Sequence, residues 1–187
     1  ILYIQIRVNF MQIRHFFLIA LLAAPIFSYA ISVNKSPADP RSYEVFKLDN
    51  GLEVITISDE SLATSAATLS VGVGAYQDPS SAQGIAHFLE HMIFMGSDKY
   101  RDPNEYTQFI SENGGETNAF TADQQTTYLF SINSDKFEDA LDRLSAAIKS
   151  PLFDGTMVEK EINAVNSEWL LRRQSEAFIR QRTAAMT

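Results

Sequence analysis

Cysteine is absent from the 187 residues. Its absence excludes thiol catalysis, structural disulfides, thiolate metal ligands and the lipid-bearing cysteine of a bacterial lipoprotein. Clustered positive charge is lacking too. Lys and Arg number 15 against 23 Asp and Glu, a formal charge of -8, and no basic run stands out, which argues against nucleic acid as a partner. Histidine is scarce, with three copies at His15, His87 and His91. No apolar run is long enough to span a bilayer, and there is no internal repeat or low-complexity tract.

What is present reads as globular: 45% hydrophobic and 20% charged residues, in a chain long enough for one domain with a proper core. The first residue is Ile, and Met11 opens a more natural beginning. From there Arg14, the apolar run Phe16 to Ala24, and Ser28-Tyr29-Ala30 have the parts of a secretory signal peptide. The apolar stretch between Arg14 and Ser28 is 13 residues, so cleavage after Ala30 is expected rather than a stable membrane anchor. Residues 1–30 are thus read as an upstream extension plus signal peptide, and the protein as exported, to a bacterial periplasm. Without Arg7 and Arg14 the basic groups fall to 13 against the same 23 acids, so the exported part is more acidic still.

Residues 31–42 are polar and proline-containing and read as a linker. Tyr43 to Asp49 and Leu52 to Ser58 flank Asn50-Gly51, a strong hairpin signal. Ala66 to Val73 reads as a third strand, and Thr117 to Thr121 and Thr126 to Ile132 as two more. Helices are expected at Gly84–Gly96, from a cap at Asp102 with Pro103 first, from a cap at Ser134 with a buried stripe of Phe137, Leu141, Leu144 and Ile148, and from Gly155 to the end. This order gives an α+β domain over 43–187, a mainly antiparallel sheet covered on one face by helices.

The stretch Gly84 to Gly96 carries the chemistry. Ile85, Phe88, Leu89, Met92 and Ile93 recur at the spacing of one helix face, and His87, Glu90, His91 and Phe94 fall roughly opposite. His87 and His91 are one turn apart, so both rings reach one point, as zinc requires of neutral imidazoles. Glu90 stands beside them, placed to act on a zinc-bound water. The pattern His-x-x-Glu-His is the inverzincin signature. A catalytic zinc needs a further protein ligand, and with no spare His or Cys it has to be acidic. The last helix offers Glu159, Glu161 and Glu168, and spacing does not choose among them.

The run H-F-L-E-H-M-I-F-M-G-S, with K-Y, N-E-Y, N-A-F-T and E-I-N-A-V-N-S-E after it, resembles the pitrilysin/insulysin family of zinc metallopeptidases from about Tyr43 onward. The resemblance implies that His87, His91 and Glu168 ligate Zn2+, that Glu90 is the catalytic base, and that Glu161 supports a ligand from behind. Asn118, Ala119 and Phe120 resemble the strand along which an extended peptide is laid. The implied activity is a zinc-dependent endopeptidase acting on peptides and small proteins. Members of the family are several times longer, so this chain reads as an amino-terminal domain cut off mid-helix, its partners being peptide substrates and the missing C-terminal domains. Alone it is expected to be weak or inactive. The alternative is a non-catalytic or structural family subunit; such relatives lose the His-x-x-Glu-His residues, which are intact here. A closed structural zinc site fits less well, since three ligands and a poised carboxylate are not four ligands.

Overall fold

A computed structural model describes residues 3–8, as backbone, and residues 33–175. The signal-peptide reading of Met11 to Ala30 lies outside the described residues. Six strands form one sheet in the order β2-β3-β1-β4-β6-β5. They are β1 (Tyr3–Val8), β2 (Ser42–Lys47), β3 (Glu53–Ser58), β4 (Thr64–Val71), β5 (Glu116–Thr121) and β6 (Thr126–Asn133). Every pairing is antiparallel except that of β1 with β4. The mainly antiparallel α+β architecture read from the sequence is therefore the one found. β1 was not among the expected strands; it fills the place between β3 and β4. The β2–β3 connection is wider than a two-residue turn: Leu48 N–H donates to Leu52 O at 2.8 Å, and Gly51 takes a positive φ of 88° inside it.

Four helices follow the same chain: α1 (Ile85–Ile93), α2 (Glu105–Glu112), α3 (Phe137–Lys149) and α4 (Gly155–Arg172). One face of β4 and β6 is apolar by simple alternation. Ala67 pairs with Phe130 and Leu69 with Tyr128, and all four are buried. Ile93 from α1, Tyr106 and Ile110 from α2, and Phe137, Ala140 and Leu144 from α3 complete that core. The ring of Phe94 stacks on Tyr106 at 5.3 Å and meets Tyr128 edge-on at 5.7 Å, tying α1 to the sheet. α4 lies against α1 rather than on the sheet.

Three helix readings are corrected. α2 begins at Glu105, not Pro103: Asp102 accepts from Asn104 N–H at 2.8 Å in a side-chain turn before the helix. Ser134 opens a 3-10 turn, and its hydroxyl meets that of Ser65 at 2.9 Å instead of capping α3; of the stripe read there, Phe137 and Leu144 are buried, Leu141 and Ile148 pack partly buried against the same core, and Ala140 and Ala147 are buried with them. α4 begins at Gly155 as read, capped by Asp154, but ends at Arg172 with Arg173–Gln174 in a turn; the helix reading over 176–187 lies outside the described residues.

The motif helix is also turned from the expected pose. Ile85 and Leu89 are 48% and 43% exposed, whereas Glu90 is 7% exposed. Polar side chains take the inner side of α1 because β5 and α4 supply partners for them there, and Met92 and Ile93 carry its apolar burial.

Candidate metal centre

α1 is held at its start by a remote side chain. Gly84, at φ 90°, turns the chain into the helix, and the Asp78 carboxylate accepts from Gly84 N–H at 2.7 Å and Ala86 N–H at 3.0 Å. Two otherwise unpaired helix donors are thereby satisfied, and negative charge sits at the helix N-terminus. This fixes the segment that carries His87, Glu90 and His91.

The two imidazoles converge. His87 Nε2 lies 3.2 Å from His91 Nε2, and Glu168 of α4 brings Oε2 to 3.5 Å from the first and Oε1 to 3.6 Å from the second. These three residues are the one group among the described residues that could hold a metal ion. A tetrahedral shell with ligand bonds of about 2.0–2.1 Å has ligand–ligand edges of roughly 3.3–3.4 Å, so the donor set fits one small cation. Burial lowers the pKa of His87, against the pull of Glu90 and Glu168, and keeps its ring neutral as ligation requires.

Behind His91 the structure places Glu161, 6% exposed, with Oε2 2.9 Å from Nδ1. A carboxylate only accepts, so Nδ1–H is the donor and the lone pair of Nε2 faces the cluster. Two turns of α4 thus give its two acids different neighbours, a choice that spacing had left open. Glu159, the third acid weighed there, is exposed.

Glu90 lies on the floor of the cleft, where Oε2 accepts from the hydroxyl of Thr121 at 2.5 Å. Its charge, after burial, contributes to raising the phenol of Tyr128 above the ordinary range. The cleft, about 490 Å3, opens between α1, α4 and the edge strand β5. Asn118, Ala119 and Phe120 all border it. The Ala119 N–H is not spent on β6 but donates to Asn118 Oδ1 at 2.9 Å, so this backbone donor lies on the free edge of the sheet. Phe120 is 47% exposed. Thr121 was missed at the sequence level; alternation from Ala119 would have pointed to it, because residues two apart share a face.

Comparison with known proteins places the chain among peptidases. A model of the insulinase family, peptidase family M16, matches residues 53–187. The A-factor-processing enzyme of Saccharomyces cerevisiae is 46% identical over 134 residues, 72% of this chain and 13% of that protein. The human insulin-degrading enzyme is 44% identical over 136 residues, 73% of this chain and 13% of its own length. A crystal structure of pitrilysin superposes with a TM-score of 0.72 at 40% identity, covering 75% of this chain and 15% of that one. The chain thus spans 13–15% of the length of these relatives.

Proposed function

Since the chain belongs to the insulinase family of peptidases (family M16), we propose that it forms the metal-bearing part of a zinc endopeptidase that hydrolyses peptides. The observation that carries this is the meeting of His87, His91 and Glu168 at one point with the buried Glu90 beside them. When bound there, zinc supplies Lewis-acid polarisation of a peptide carbonyl and lowers the pKa of water toward about 7. His87 and His91 hold the ion through Nε2, and Glu168 adds the anionic ligand. Glu161 keeps His91 in the tautomer that ligation needs. Glu90, anchored through one oxygen, takes the proton from the attacking water as general base.

The free edge of β5 gives an extended peptide backbone a strand to pair with, and main-chain pairing tolerates many sequences. Asn118, Ala119 and Phe120 are the residues proposed to line that path. The relatives are far longer, so further domains of the same protein are proposed to complete the substrate wall. Export with cleavage after Ala30 is a separate proposal. An intact mass starting at Ile31 supports it, and one retaining Phe16 to Ala24 contradicts it; such cleavage would also remove β1.

The test is Glu90→Gln in the full-length, zinc-loaded protein with a quenched fluorescent peptide. The amide keeps shape but cannot take a proton, so zinc content is expected to match wild type while cleavage falls by at least about 10²-fold. Unchanged cleavage overturns the assignment of Glu90.

A further inference from the structure

We propose that Thr121 is a positioning residue for Glu90: its hydroxyl clamps one carboxylate oxygen so that the other is presented to the cleft. The proposal rests on the reading of Glu90 as the base. A carboxylate has two equivalent oxygens and a freely turning terminal torsion. A base needs one oxygen held toward its proton donor, within hydrogen-bond reach.

At 2.5 Å the Thr121 hydroxyl donates to Glu90 Oε2, the short separation of a charge-assisted bond. Among the described residues this is the hydrogen bond that Glu90 makes, and it engages Oε2 alone, leaving Oε1 for the cleft.

The direction of that bond is fixed by the next hydroxyl. Thr126 lies 3.4 Å from Thr121, but its hydrogen goes to Val73 O at 2.9 Å. Thr126 therefore has no hydrogen to offer Thr121, and as an acceptor it is distant and neutral. The nearer, charged oxygen of Glu90 wins the Thr121 hydrogen. Thr121 ends β5 and Thr126 begins β6, and the two lie opposite one another in register, so the hairpin pairing fixes the backbone that carries both hydroxyls. Thr121 also closes the strand whose free edge is proposed to take the peptide. The backbone that would pair with substrate and the hydroxyl that aims the base thus belong to one rigid element, a few residues apart. Placing the base within a few tenths of an ångström is what such a support contributes.

Thr121→Val keeps the branched shape and strand preference and removes only the hydroxyl; Thr121→Ser keeps the hydroxyl and removes only a methyl group. In the full-length, zinc-loaded protein, Thr121→Val is expected to lower kcat about 10- to 100-fold with KM within twofold and unchanged zinc content. Thr121→Ser is expected to recover most of kcat. Equal kcat for Thr121→Val and wild type overturns the proposal, as does an equal loss in both variants, which would mark a packing role. A crystal structure of Thr121→Val gives a readout independent of activity: the Glu90 carboxylate is expected to turn from its wild-type orientation, and an unmoved carboxylate overturns the proposal. If wild type itself shows no cleavage, the endopeptidase reading fails, while the crystal structure still decides the clamp.

Discussion

The Nδ1–H of His91 donates to Oε2 of Glu161 across 2.9 Å, while the opposite nitrogen of the same ring faces Glu168. One imidazole is thus gripped by two acids of one helix, from behind and from in front. Outer partners of this kind typically account for about 10- to 100-fold in metal affinity. Glu161→Gln, whose amide oxygen can still accept, is expected to weaken zinc binding less than Glu161→Leu, which leaves Nδ1–H buried and unpaired. A competitive zinc titration orders the three proteins. Equal affinities would remove Glu161 from the account.

Asp78 ties the loop before α1 to the first turn of that helix through two backbone donors. Loss of a capping carboxylate costs about 0.5–2 kcal/mol. Asp78→Ala is expected to lose a stability in that range by urea unfolding, and to weaken zinc binding as well because the cap sits one turn before His87. Lost stability with wild-type zinc affinity would show that the cap does not steady the ligands.

How much of this was legible depends on how local each determinant is. The His87–Glu90–His91 spacing is set by one helix, so the site's floor could be read directly. Strand alternation in Ala67, Leu69, Tyr128 and Phe130 likewise needs no tertiary knowledge. Glu161 and Glu168 could not be told apart by spacing, since their difference comes from where α4 lies against α1; the family resemblance supplied the assignment that the distances support. The pose of α1 misled for the same reason. Its apolar stripe predicts Ile85 and Leu89 inside, but buried partners for Glu90 and His91 come from β5 and α4, which are distant in sequence. Asp78 is six residues from the N–H of Gly84, beyond the reach of the usual capping pattern.

Gly115 stands where α2 gives way to β5. A Cβ there would lie 2.0 Å from Ser131 O and 3.0 Å from Ile110 Cγ2, so even a methyl group must push the edge strand from β6. Gly115→Ala is expected to destabilise the fold by about 1–3 kcal/mol and, by shifting Thr121 and Ala119 with the strand, to lower peptide cleavage. Denaturant unfolding checks the first and peptide turnover the second. Wild-type values for both would mean that β5 yields without consequence.

The chain spans only 13–15% of its relatives' length. Loss of a single oxyanion donor elsewhere costs about 10²–10³ in rate. Zinc-loaded chain 31–187 is therefore expected to turn over a quenched peptide at least about 10²-fold more slowly than a full-length protein that carries it. Comparable turnover would show that this domain suffices.

The most direct measurement is the zinc content after exhaustive dialysis of wild type, Glu90→Gln and Glu168→Gln, read by plasma mass spectrometry. One zinc per chain is expected in the first two, and a clear deficit in the third, because Glu168→Gln removes the anionic ligand while Glu90→Gln touches none. Wild type that retains no zinc, or Glu168→Gln loaded as fully as wild type, would contradict the His87–His91–Glu168 centre.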